Sequence, residues 1–143
     1  MKIPSNLVSE AFSSITNVLA LKAGGQKSVY SAFHADWGKV ALKLIPLEQA
    51  DERIQREIQT GKGKNFSHVP IIYESGNKKI GEFDFVYIIE QFIEGKDLRA
   101  LQVEGYIFCF EDVMILLETM LNTLVDLEAA HIVHRDIKLD NCQ

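Results

Sequence analysis

His131-Ile132-Val133-His134-Arg135-Asp136-Ile137-Lys138-Leu139-Asp140-Asn141 gathers cations, acids and a carboxamide at short intervals, directly after the strongest helical signal in the chain. Upstream of it Val113, Leu116, Leu117, Met120, Leu121, Leu124 and Leu127 keep i, i+3, i+4 spacing from Glu111 to Ala130. That spacing predicts a rod of about 30 Å with one apolar face. So wide a face needs a cover, so we expect an exposed apolar patch, a protein partner or a marginal fold.

Working back toward the start, the pattern changes from helical to alternating. Phe83 to Phe92 and Val69 to Tyr73 read as strands around the turn-rich Ser75-Gly76-Asn77, and Asp97 can cap a short helix over Leu98 to Val103. Glu48 to Thr60 reads as one helix, with Ala50, Ile54 and Ile58 four apart and Gly61 in the C-cap position. Ile15 to Ala23, Ser28 to Ala35 and Lys39 to Ile45 read as a three-strand antiparallel meander, broken at Gly24-Gly25 and turned at Asp36-Trp37-Gly38. A short leading helix can cover Asn6 to Ser14. Strands, one helix, strands and then helices make an α+β chain with a five-stranded antiparallel sheet.

The totals narrow the function. The chain has 143 residues, 47% of them apolar and 24% charged, enough for a real hydrophobic core. A net charge of -5 gives no footprint for nucleic acid or for an acidic membrane surface. No apolar run reaches membrane-spanning length, and Met1-Lys2-Ile3-Pro4 opens without the apolar core of a secretory signal. Cys109 and Cys142 are too few for a disulfide framework and read as reduced thiols, so the expected compartment is the cytoplasm.

The catalytic-type loop matches His-Arg-Asp-x-Lys-x-x-Asn, and with it the chain resembles the protein kinase family, whose signature set appears in order. On that resemblance residues 1–14 are a lead-in, 15–95 the N-lobe and hinge with one αC-type helix, and 96–143 the first helices and catalytic loop of the C-lobe. Leu21-Lys22-Ala23-Gly24-Gly25-Gln26-Lys27-Ser28-Val29-Tyr30 stands where the family has its glycine-rich loop. Gly24, Gly25 and Val29 are then nucleotide contacts, since glycine lets backbone N–H groups approach phosphate oxygens. The match is partial: Lys22 and Lys27 stand where outer glycines would be, and taken alone the segment reads equally as an ordinary hairpin turn.

Val40-Ala41-Leu42-Lys43 is similar to the family's Val-Ala-Ile-Lys strand, and alternation puts Ala41 and Lys43 on one face. A Lys among apolar neighbours is costly to bury without a charged partner. The resemblance gives Lys43 the α- and β-phosphates of ATP and a helix Glu as partner. Glu57, about 60° round the wheel from Ile54, borders the apolar stripe and is that candidate, or else a solvated border residue. In Tyr87 to Leu98 the resemblance makes Glu90, or Ile89 if the register slips by one, the gatekeeper. Gln91 to Ile93 supply adenine-binding backbone, and Asp97 is a ribose contact or simply a helix cap.

In the loop itself the resemblance makes Asp136 the acceptor of the substrate hydroxyl's proton, Lys138 the neutraliser of charge on the transferred group, and Asn141 a magnesium ligand. Lys138 two residues past Asp136 is the serine/threonine form. Leu139 replaces the family's usual Pro. His34, His68, His131 and His134 read as packing residues, with no second ligand at metal spacing. The family's second magnesium-binding acid, in an Asp-Phe-Gly motif, does not occur within residues 1–143. The expectation is therefore an incomplete serine/threonine kinase without turnover of its own, using ATP and Mg2+ on an unknown protein substrate. A nucleotide- or partner-binding module that transfers no phosphate is the alternative.

Overall fold

The computed structural model describes residues 3–23, 27–50, 52–61, 66–134 and 137–142, with the side chains of 22, 23, 53, 56, 57 and 60 excepted. Five strands, β1 (Ile15–Ala23), β2 (Ser28–His34), β3 (Gly38–Pro46), β4 (Ile72–Ile80) and β5 (Phe83–Gln91), form one sheet in the order β1-β2-β3-β5-β4. Every pairing is antiparallel. Among the described residues four α-helices accompany them: α1 (Ser5–Ala11), α2 (Glu52–Gly61), α3 (Leu98–Val103) and α4 (Phe110–Ala129). The α+β class and the five-stranded antiparallel sheet expected from the pattern are both present.

The chain divides into two compact units, residues 1–64 with 70–92, and residues 65–69 with 93–143. In the first unit, strand alternation gives the sheet two apolar faces. Val40, Leu42, Leu44, Tyr30, Phe85 and Ile89 pack with Ile3, Val8 and Phe12 on one side. α1 belongs to this core: Val8 is fully buried, and the buried Tyr30 hydroxyl donates to the Ile3 carbonyl at 2.6 Å and accepts from the Ile3 N–H at 3.2 Å. A buried phenol so satisfied at both ends ties the start of the chain to β2. On the other face Ile45, Ile72, Val86 and Ile88 form a second cluster, which Ala50, Ile54 and Ile58 cover. Four apart on α2, the two isoleucines share a face, as their spacing requires.

Besides α1, which spans Ser5–Ala11 rather than Asn6 to Ser14, two elements differ from the sequence reading. The expected single helix over Glu48 to Thr60 is a three-residue 3-10 turn, Leu47–Gln49, followed by α2. Ala50 leaves the helical region at φ -80°, ψ 82° and packs against the Ile45 cluster. Helix propensity carries a fraction of a kcal/mol per residue, so docking of a side chain on the core overrides it. The second difference is β4, which runs straight through Ser75-Gly76-Asn77; the turn falls at Gly81-Glu82, with Gly81 at φ +61°. Gly76 is small because Tyr87 stands opposite: a Cβ there would lie 3.0 Å from the Tyr87 ring. The glycine provides space rather than a reversal.

In the second unit Asp97 caps α3, its Oδ1 accepting from the Ala100 N–H at 2.7 Å. α4 begins with a reciprocal cap, the Cys109 N–H donating to Asp112 Oδ2 at 3.0 Å while the Cys109 side chain takes the Asp112 N–H. That bond, above all, holds the Asp112 carboxyl below its ordinary value. α4 ends in a Schellman motif: His131 takes φ +57°, its N–H donates to Glu128, and the Ile132 N–H reaches back to Leu127. Leu127 is the buried residue of α4, whereas Ile115, Leu121 and Val125 are more than half exposed. The expected apolar patch on this helix is present. Among the described residues no helix is long and apolar enough to cross a membrane.

Candidate functional site

On β3 the side chains of Ala41, Lys43 and Ile45 share the face that α2 covers at its Ile45 end. Past the end of that cover lies a strip of different chemistry. Val29 stands directly opposite Lys43, Ser31 opposite Ala41, and Glu90 opposite Ala41 from the other side. Directly opposed residues of an antiparallel pair point to the same face, so five side chains from three strands meet there. Ser31, Ala41 and Glu90 are buried and Val29 is half-buried.

Among the described side chains of this strip, Lys43 and Glu90 carry the charge. The Lys43 Nζ lies 2.6 Å from Glu90 Oε1 and 2.7 Å from Oε2, with side chains 19% and 11% exposed. Two ions drawn this far from water must satisfy each other, because a lone one would forfeit several kcal/mol of hydration. Glu57, expected as the partner of Lys43, lies on α2, but its side chain is outside the described residues. The sequence reading of Glu90 passed over this pairing. The signal was available: a carboxylate following Val86-Tyr87-Ile88-Ile89 on a strand needs a cation as much as Lys43 needs an anion.

Gly24 and Gly25 lie outside the described residues, so the loop that Val29 follows has no described geometry. At the end of β5 the Gln91 N–H donates to the Ile71 carbonyl at 2.8 Å, so that donor is engaged within the sheet. Ile93 is half-buried and belongs to the second unit. Asp97 acts as the helix cap that one of its two readings required; Oδ1 is engaged there.

Arg135 and Asp136 lie outside the described residues. Their neighbours are described. Lys138 is exposed and precedes a 3-10 turn, Leu139–Asn141, closed by the Asn141 N–H on the Lys138 carbonyl at 3.0 Å. The Leu98 N–H donates to the Cys142 carbonyl at 2.9 Å, and Arg99 Nε lies 3.8 Å from Asp140 Oδ2, so the end of this loop is fastened to α3. With Leu139 where a Pro would stiffen the chain, these bonds supply the restraint.

A family model described as the protein kinase domain matches residues 18–142, and the chain belongs to that family. Among its relatives are a probable serine/threonine-protein kinase of Streptomyces coelicolor, 30% identical over 127 residues that cover 85% of this chain and 19% of that protein. A probable serine/threonine-protein kinase of Bifidobacterium longum is 26% identical over 148 residues, 96% of this chain and 18% of its own length. The serine/threonine-protein kinase PrkC of Bacillus subtilis is 26% identical over 124 residues, 82% and 18% respectively. The chain thus spans about a fifth of the length of the curated relatives it matches.

A kinase domain implies ATP and magnesium in general. Magnesium takes an octahedral oxygen set drawn from carboxylates, phosphates and water. Among the described residues no three His, Cys, Asp or Glu side chains stand together to hold a metal ion, and Asn141 offers one neutral oxygen. The described residues alone do not make a magnesium site.

Proposed function

We propose that this chain carries the nucleotide-binding strands and catalytic loop of a serine/threonine protein kinase, which moves the γ-phosphoryl group of ATP to a protein hydroxyl. The observation that supports it is Lys43: an ammonium held on a buried strand face beside Val29 and Ala41, where it is too costly to keep for packing alone. In this reading Val29 and Ala41 lie against the adenine, with the backbone of Gln91 and Ile93 at its edge. Gly24 and Gly25 approach the phosphates, Asp97 meets the ribose through Oδ2, and Lys43 neutralises phosphate charge.

Asp136 accepts the proton of the substrate hydroxyl as its oxygen attacks, and Lys138 offsets charge on the group in transfer. Glu57 on α2 is the carboxylate the kinase pattern assigns to Lys43, and Asn141 supplies one oxygen to the metal. The serine/threonine class follows the relatives and Lys138. A protein partner covers the exposed face of α4, and the free thiols of Cys109 and Cys142 fit a cytoplasmic setting.

The test is ATP affinity by titration calorimetry together with transfer of labelled γ-phosphate to a serine- and threonine-containing protein. Lys43→Met is expected to weaken ATP binding at least tenfold, and Asp136→Asn, made in a longer chain that carries an Asp-Phe-Gly segment, to abolish transfer while sparing ATP. ATP binding indifferent to Lys43→Met overturns the nucleotide site. Lys43-dependent ATP binding with no transfer by the longer chain that carries the Asp-Phe-Gly segment supports the binding-module alternative instead.

A further inference from the structure

The ion pair between Lys43 and Glu90 joins two interior strands. β3 lies between β2 and β5, and β5 between β3 and β4. Register makes the two residues diagonal neighbours: Ala41 is opposite Glu90 and Lys43 is opposite Ile88. Diagonal neighbours on one face stand roughly 7–8 Å apart, a span that two long side chains close. Both carboxylate oxygens come within 2.7 Å of the ammonium.

The backbone that carries Glu90 is fixed on both sides by ladders. Residues 40 to 46 pair with β5 without a bulge, and Glu90 pairs with Ile72 of β4 as well. A carboxylate borne by α2 would follow that helix wherever it moved. The backbone of one borne by β5 stays beside Lys43 as long as β3 and β5 remain paired.

We infer that Glu90 is the positioning residue of Lys43, a sheet-borne counter-ion that holds the ammonium for a phosphate oxygen whatever the position of α2. An ammonium has three N–H donors; with two oxygens engaged by Glu90, at least one remains for an anion. This inference rests on the reading of Lys43 as a phosphate ligand, but its first test does not.

The experiment uses the whole 143-residue chain. Lysines are acylated with sulfo-NHS-acetate under limiting conditions, and the rate at Lys43 is read by peptide mass spectrometry against the other lysines. Glu90→Gln is expected to raise the Lys43 rate about fivefold or more, because the amine is no longer held against two carboxylate oxygens, with the other lysines unmoved. Glu90→Asp, which keeps the charge on a shorter arm, is expected to restore most of the protection and serves where Glu90→Gln folds poorly. A Lys43 rate indifferent to both variants, or raised more by Glu57→Gln than by Glu90→Gln, overturns the inference.

The second readout compares ATP with adenosine. Glu90→Gln is expected to weaken ATP at least fivefold and to leave adenosine within twofold, whereas a merely structural role moves both together. Labelling that responds to Glu90 in a chain binding neither ligand keeps the counter-ion and removes the nucleotide reading. ATP binding that depends on Lys43 but ignores Glu90→Gln, with labelling also unmoved, does the reverse.

Discussion

Tyr87 stands on β5 opposite Gly76, its ring edge-on to Phe12 with 5.1 Å between centroids and its hydroxyl donating to Glu74 Oε1 at 2.6 Å. Burial first, then the hydrogen bond and the charge of Glu74, push its pKa from 10.0 up to about 12. The folded state therefore favours the protonated phenol. Its contribution to stability is whole below pH 10 and is lost as pH rises through about 12. A spectrophotometric titration is expected to show a tyrosine step near pH 12, and Tyr87→Phe is expected to remove that step and flatten the alkaline loss of stability between those values. At the same scale, Lys43 was legible as a buried cation from its apolar flanks, while its pairing with Glu90 required the register of β3 on β5.

α4 shows how far periodicity reaches within one element. Its i, i+3, i+4 pattern located the helix to within a residue at each end, and Asp97 as the cap of α3 was legible from residue type alone. What covers an apolar face is not written in its period. Leu121 and Val125, one turn apart, are 61% and 62% exposed. Replacing both by lysine is expected to lower binding of a hydrophobic dye markedly while moving the thermal midpoint by no more than 2–3 °C, since surface changes away from packed sites stay within about 0.5 kcal/mol. A loss much larger than that means the face is packed in solution.

Over the whole molecule the chain enters the second unit twice, first with residues 65–69 and again from residue 93. The first visit is held on α4 by Asp126, whose Oδ2 accepts from the Ser67 N–H at 3.0 Å, and by Thr123, whose hydroxyl donates to the Ser67 carbonyl at 3.2 Å. The backbone bond from Ser67, then its hydroxyl, hold the Asp126 carboxyl below its ordinary 3.8. A depressed carboxylate contributes above its unfolded value and loses that contribution as pH falls through the folded one. Hydrogen exchange at the Ser67 amide, corrected for intrinsic rate, is expected to quicken as pH falls below about 3.8. In Asp126→Asn it is expected to be fast already at neutral pH and to lose that acid step.

The sequence by itself determined the class of the fold, the strand and helix order and the family, because alternation, helical period and a spaced catalytic motif are local properties. Tertiary structure decided where local preference met packing. Ala50 left the helical path to pack on the cluster of Ile45, Ile72, Val86 and Ile88, Gly76 made room for Tyr87 inside a strand, and Tyr30 enlisted the backbone of Ile3. Most consequentially, a carboxylate 47 residues from Lys43 in sequence became its partner. Each of these depends on which strands lie side by side and in what register, and cross-strand contact has no signature in the order of residues along one strand.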